Sequence, residues 1–212
     1  VSKWNSYFVI FVGLLIILYG IINKAPDGYL TYEGNDIGSS YFFDYVAPFL
    51  SGLNFLLSIN SYNQKGIINT LFFLSNRKSF PTLNFLYYVH TLSCSLFVII
   101  GAYLFYQNTG DIPAILYLVV TFIPNVIFLN SLILCINMLL KNSVQSLILI
   151  STFLLFDYFM GSRIFGPFSI GTHSYGTKSN GNYLVLLIMS VCLFYLGSRA
   201  KIWYYSNKFI DS

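Results

Sequence analysis

The feature that most constrains this chain is a succession of long apolar runs separated by short polar breaks. The runs fall at residues 7–22, 42–60, 83–106, 113–140, 144–160 and 183–198. A bilayer-spanning helix needs about 20 mostly apolar residues, so six crossings use a little over half of the 212 residues. Only 8% of the residues are charged, against roughly a quarter in ordinary soluble domains. Hydrophobic residues make up 56% of the chain, and mean hydropathy is +0.69. A water-soluble chain could not cover its surface with so few charges, whereas hydrocarbon removes that requirement. The expected fold is an all-α polytopic membrane protein of six transmembrane helices, residues 1–212 forming a single transmembrane domain. No room is left for a soluble catalytic domain.

The breaks set the topology. Asn23-Lys24-Ala25-Pro26-Asp27-Gly28 closes the first run with strong helix breakers. Val1 in place of a start methionine predicts a trimmed or processed chain, and without a small-x-small cleavage site the first run reads as an uncleaved span. With six spans both termini lie on one side. That side holds Lys3, Lys65, Arg77, Lys78, Lys141, Arg199, Lys201 and Lys208, eight of the eleven basic residues. The positive-inside bias therefore predicts cytoplasmic termini, and the abundance of Asn, Ile, Lys, Tyr and Phe, compatible with an AT-rich bacterial genome, leads to the expectation of a bacterial plasma membrane. Asp27, Glu33, Asp36, Asp44 and Asp111 then fall outside. Trp4, Trp203, Tyr204 and Tyr205 fall at the inner interface, where amphipathic rings belong. Pro124 is expected to kink the long fourth span.

Catalytic patterns are missing. The chain has no H-E-x-x-H pair and no phosphate-binding loop, and Pro167 spoils the one string resembling a nucleophile elbow. It is not expected to be an enzyme or to carry a cofactor. Cys94, Cys135 and Cys192 lie scattered in apolar runs, as lipid- or core-facing residues. The two histidines are too few for a metal centre. His173 falls in an outer loop. His90 lies inside the third span, about 10 Å from its inner end by helical rise. It is either a neutral side chain hydrogen-bonded between helices or an intramembrane functional group. Asp157, near the outer end of the fifth span, either pairs with Arg163 or snorkels to the interface.

Polar residues inside the spans form patterns. Ser51, Asn54, Ser58 and Ser61 recur at i, i+3, i+7 and i+10, one face of a helix, with Phe55 beside it. Asn130 and Asn137 stand seven apart on the fourth span. Such a face either packs helices together or lines a pathway.

Residues 63–79, between the second and third spans, are basic and apolar by turns: Lys65-Gly66, then Leu71, Leu74-Ser75 and Arg77-Lys78. One reading is an amphipathic helix lying on anionic lipid. The other is a resemblance. The segment is similar to the cytoplasmic coupling segment of type-2 ABC exporter permeases, and the layout of spans and loops over nearly the whole chain resembles that family. Tyr62 and Asn63 stand where the family carries an acidic residue, and no proline follows the leucine pair. The resemblance implies that Lys65, Gly66, Leu71, Leu74, Arg77 and Lys78 dock on a separate ATP-hydrolysing subunit. ATP and magnesium would then belong to that partner. It implies a pair of permease chains, identical or related, with a substrate pathway at their interface lined by Ser51, Asn54, Phe55, Ser58 and Ser61. It also implies an outer lid over residues 161–182. The implied activity is export of an amphipathic or hydrophobic substrate, most plausibly a small peptide, toxin or drug, with no nucleic-acid partner. The alternative is a membrane immunity or sensor protein that binds a peptide at the bilayer.

Overall fold

The computed structural model describes residues 3–24, 42–59, 79–107, 115–140, 142–160, 162–170 and 180–207. All described elements are helical: α1 Lys3–Ile22, α2 Phe42–Ile59, α3 Ser79–Tyr106, α4 Ile115–Leu140, α5 Ser143–Met160, a short α6 Ser162–Phe165 and α7 Asn180–Asn207. Among the described residues, four stretches are long and apolar enough to cross a membrane: Phe42–Ile59, Tyr87–Tyr106, Phe122–Leu140 and Ser143–Met160. Tyr7–Ile22 and Tyr183–Ser198, within α1 and α7, are shorter apolar stretches. The described part of the chain is thus built of helices without strands, in a sequence with the composition of a membrane protein.

Local chemistry explains the helix ends. Asn142 caps α5, its Oδ1 accepting the backbone N–H groups of Val144 at 3.0 Å and Gln145 at 3.3 Å. α2 opens with a π-helical turn, Phe42–Val46. Pro48 follows, and a proline ring clashes with the carbonyl four residues back in a regular helix. A wider turn there relieves that clash. Pro124 lies inside α4, where it removes one backbone donor without ending the helix. α3 begins at Ser79, four residues before the expected start, and α7 continues to Asn207 rather than ending near 198. No proline or glycine stands between Ser198 and Asn207 to stop it.

α4 is the hub. It packs against α3, α5 and most extensively α7, while α1 packs on α3. Two apolar clusters fill the interior. One joins Val12 and Ile16 of α1 to Phe43 of α2, Val98 and Phe105 of α3, and Phe122 and Val126 of α4. The other joins Phe55 and Ile59 of α2 to Tyr87, Leu129, Ile133, Ile150, Ile170 and Leu186. Glycines let backbones meet: a Cβ on Gly20 would overlap the Gly101 carbonyl oxygen, and one on Gly197 would lie 3.0 Å from Cys135 Cα.

The distribution of polarity is inverted relative to a soluble protein. Leu92 is 65% exposed and Val191 68%, while Asn130 and Ser131 are fully buried. Apolar residues of α1, α5 and α7 cover the outside, among them Phe11, Leu14, Leu149, Phe156, Leu184 and Ile188. In water such a surface would aggregate. Against lipid tails it is the expected solvent-facing surface.

Candidate functional site: a polar seam inside the bundle

Three helices turn polar faces inward to one another. Ser51, Asn54 and Ser58 of α2 are all buried, as is Phe55. His90, Thr91, Cys94 and Ser95 of α3 are buried at i, i+1, i+4 and i+5, one face of that helix. Asn130 and Ser131 complete the seam from α4.

Asn130 is the centre of it. Its carboxamide Nδ2 donates to Thr91 Oγ1 at 3.1 Å and lies 3.4 Å from Ser51 Oγ, whose hydroxyl also approaches Asn130 Oδ1 at 3.5 Å. One side chain of α4 thereby ties α2 to α3. Below it, Asn54 Nδ2 and His90 Nδ1 are 3.4 Å apart. The Phe55 ring stands against the His90 ring with centroids 6.1 Å apart, and against Tyr87 at 5.6 Å. The Tyr87 hydroxyl meets Ser131 Oγ at 2.7 Å. Asn54 Oδ1 is buried with no hydrogen-bond partner.

A second polar contact pins the segment after α5. α6 and a 3₁₀ turn, Gly166–Phe168, lead to Ser169 and Ile170, both buried. The Ile170 N–H donates to Asp157 Oδ2 at 2.8 Å, and the Ile170 carbonyl accepts from Asn125 Nδ2 at 3.2 Å. The peptide groups of one residue are held from α5 and α4 at once. A third contact closes the α4–α5 turn, where Ser143 and Ser146 reach Asn137 Oδ1 at 3.4 and 3.5 Å.

The expected site residues sort as follows. Ser51, Asn54, Phe55 and Ser58 lie together on the inner face of α2 and are enclosed by this one chain. Ser61 lies outside the described residues, as do the coupling positions Lys65, Gly66, Leu71, Leu74, Arg77 and Lys78. Of the expected lid, 162–170 is described and packs into the bundle, while 171–179 lies outside, His173 included. One expectation is corrected. Asp157 does not snorkel; it is fully buried and accepts from the Ile170 N–H. Asp44, at the start of the expected second span, is fully buried within the first turn of α2. Asn130 and Asn137, paired on paper by their spacing, serve two separate contacts. Cys94 and Cys135 are buried and Cys192 exposed, all three as free thiols. Of the partners on α3, the sequence reading singles out His90, which meets Asn54 across the helices, and names Cys94 as lipid- or core-facing; Thr91 and Ser95 escape it, although the spacing of His90, Thr91, Cys94 and Ser95 carries the same helical signal as the α2 stripe.

Chemically, the seam offers hydroxyls, carboxamides, one imidazole and one thiol. It can bind a hydrogen-bonding group or exchange a proton. Among the described residues no group of three His, Cys, Asp or Glu side chains could hold a metal ion. Comparison of the chain with protein-family models, with curated proteins and with solved structures returns no match.

Proposed function

We propose that this chain is the permease subunit of an ATP-driven exporter of the type-2 ABC class. In this reading it crosses the bacterial plasma membrane six times, α1 and α7 supplying the first and last crossings, with both termini cytoplasmic. Residues 63–79 form the coupling helix that docks on a separate ATPase, which binds ATP and magnesium. The chain itself hydrolyses nothing.

The observation that carries the reading is the polar seam within an apolar bundle. A buried polar group costs free energy unless it is hydrogen-bonded, and in lipid the stripe on α2 could have been avoided with leucine. Its residues instead meet polar partners on α3 and α4. Such a seam can open and re-form on different partners as helices rock, which alternating access requires. A substrate reaching it would be largely apolar with a few hydrogen-bonding groups, as in a small amphipathic peptide, because the seam offers Ser51, Asn54 and Ser58 beside Phe55 and no charged side chain among the described residues. α5 supports pairing with a second permease chain: 22% of its span is buried in this chain, against 61% for α2 and α4. An immunity or sensor protein that binds a peptide at the bilayer is the second reading. It is favoured by the mutual hydrogen bonding that keeps the seam closed.

The deciding experiment is co-purification with a candidate ATPase expressed beside the chain. Replacing Arg77 and Lys78 with glutamate is expected to abolish ATPase retention and ATP-driven transport while the permease still inserts. Undiminished retention and transport would remove the exporter reading. A cysteine at Asn35 should react with an impermeant thiol reagent in intact cells, and one at Gln64 should not; the reverse pattern would invert the topology.

A further inference from the structure

We infer that Asp44, Asn125 and Asp157 form a binding site for a calcium ion toward one end of the helix bundle. The inference is independent of the exporter reading, because it uses neither the seam nor the coupling segment nor the topology.

The three side chains are fully buried and come from three different helices. Asp44 sits in the first turn of α2 and Asp157 in the last turn of α5, while Asn125 directly follows Pro124 in α4. Contacts of their neighbours bring them to one level. Phe43 packs on Phe122 of α4 with ring centroids 5.9 Å apart, and Asn125 lies about one helical turn beyond Phe122. Tyr45 packs on Tyr158 of α5 at 5.8 Å. Asp44 stands between Phe43 and Tyr45, and Asp157 directly precedes Tyr158. Asn125 and Asp157 are joined through a single residue. Asn125 Nδ2 donates to the Ile170 carbonyl at 3.2 Å, and the Ile170 N–H donates to Asp157 Oδ2 at 2.8 Å.

The chemistry gathered there suits a hard cation. With its Nδ2 committed to Ile170, Asn125 keeps an Oδ1 that is buried with no hydrogen-bond partner. An orphaned buried acceptor is unfavourable, and a metal ion satisfies it as well as a hydrogen-bond donor does. The Ile170 carbonyl has a second lone pair to offer the same ion. Carboxylates, a carboxamide oxygen and a main-chain carbonyl are the ligand types that calcium takes. Charge separates calcium from sodium. Two carboxylates carry two negative charges, which one calcium ion neutralises and one sodium ion only halves, and residual charge within hydrocarbon is costly. Dryness separates calcium from magnesium. Magnesium holds on to several of its waters, whereas these side chains are shut off from solvent. The bound ion would join α2, α4 and α5 at this end of the bundle, as Asn130 joins α2, α3 and α4 at the seam.

The test uses full-length protein in nanodiscs of zwitterionic lipid, with radioactive calcium as the probe and empty nanodiscs as the blank. The parent should bind one calcium per chain at up to about 1 mM, the range of weak calcium modules. Asp44→Asn and Asp157→Asn keep the shape and an oxygen at each position but remove one charge. Each should lower the affinity about tenfold or more, the least that loss of even a supporting residue costs a metal site. A cysteine at Ser169 should also label more slowly with maleimide in calcium than in a chelator. Arg163, six residues beyond Asp157, is the competing source of positive charge, so Arg163→Gln should leave calcium binding in place. The inference is overturned if the parent binds no calcium, or if both asparagine variants fold and bind it like the parent. Equal displacement by sodium or magnesium overturns it too, as does loss of binding in a folded Arg163→Gln protein.

Discussion

Gly20 tests whether backbone contact holds α1 to the bundle. Its substitution by alanine adds one methyl group, whose carbon would overlap the Gly101 carbonyl oxygen and lie 2.9 Å from the Gly101 carbonyl carbon. Relaxed carbon–oxygen contacts between helices sit at about 3.3–3.6 Å. The two backbones must therefore part by about 1 Å or more, since neither atom belongs to a side chain that can swing aside. Overpacking of this kind costs about 1–3 kcal/mol. Replacing glycine by alanine in a helix interior returns about 0.8–1 kcal/mol of propensity; with the overpacking cost at the upper end of its range, because both clashing atoms are backbone, the net loss should be about 2 kcal/mol. Gly13 on the same helix is the control. Its added Cβ would meet ring atoms of Phe97 at 2.6 Å, but Phe97 is only half-buried and can rotate outward. Gly13→Ala should be close to neutral. Gly101→Ala, with Ile16 O at 2.8 Å and Ile16 Cγ2 at 3.0 Å, should fall between. The assay is reversible unfolding in mixed micelles, followed by thiol labelling of buried Cys94 and Cys135 in a Cys192→Ser background. Parental stability in Gly20→Ala, or an equal loss in Gly13→Ala, would refute the reasoning.

Two further outcomes follow from the hydrogen bonds. Asn130→Leu removes the links to Thr91 and Ser51. At about 0.6 kcal/mol per polar contact between membrane helices, it should destabilise by about 1 kcal/mol in the same titration, with Thr91→Val adding little to it. Asp157→Asn keeps an oxygen for the Ile170 N–H, whereas Asp157→Leu does not. A cysteine at Ser169, a position 1% exposed, should label much faster with maleimide in Asp157→Leu than in Asp157→Asn; equal rates would mean the carboxylate does not hold that segment.

How much of this was legible in the sequence depends on the range of the interaction. The apolar runs and the inward stripe of α2 were readable because helical periodicity is local. The cap at Asn142 and the turn at Pro48 are also set by residues one to four positions away, although the sequence analysis does not draw on them. The helix limits were less readable: without a breaker after Ser198, sequence reasoning ended the last helix where apolarity ended, but the backbone continues to Asn207. That Asp157 is buried rather than snorkelling is not legible locally, because its partner, the Ile170 N–H, lies thirteen residues on across a turn. The pairing of Asn130 with Ser51, 79 positions apart, has no local signature at all. Spacing on one helix shows that a face is polar, but not which helix it meets.

The identity of those meetings matters more here than in a soluble protein. Between helices in lipid, apolar contact gives little preference for one partner over another, because lipid tails are as apolar as leucine. The exposed leucines of α1, α5 and α7 therefore cannot choose the arrangement. What can choose it is a short set of positions where substitution by lipid contact is not equivalent. Gly20 and Gly101 fix α1 on α3, because only glycine allows that approach. Gly197 plays the same part for α7 against the Cys135 backbone of α4. Asn130 joins α2, α3 and α4, because its amide would be unsatisfied in hydrocarbon. Asn125 and Asp157 fold the chain after α5 back into the bundle. The seam thus has two duties that share residues. As long as it specifies the packing of three helices, any motion that opens it must supply replacement partners for Ser51, Asn54 and Asn130. A ligand with hydrogen-bonding groups can do so; a purely apolar molecule cannot.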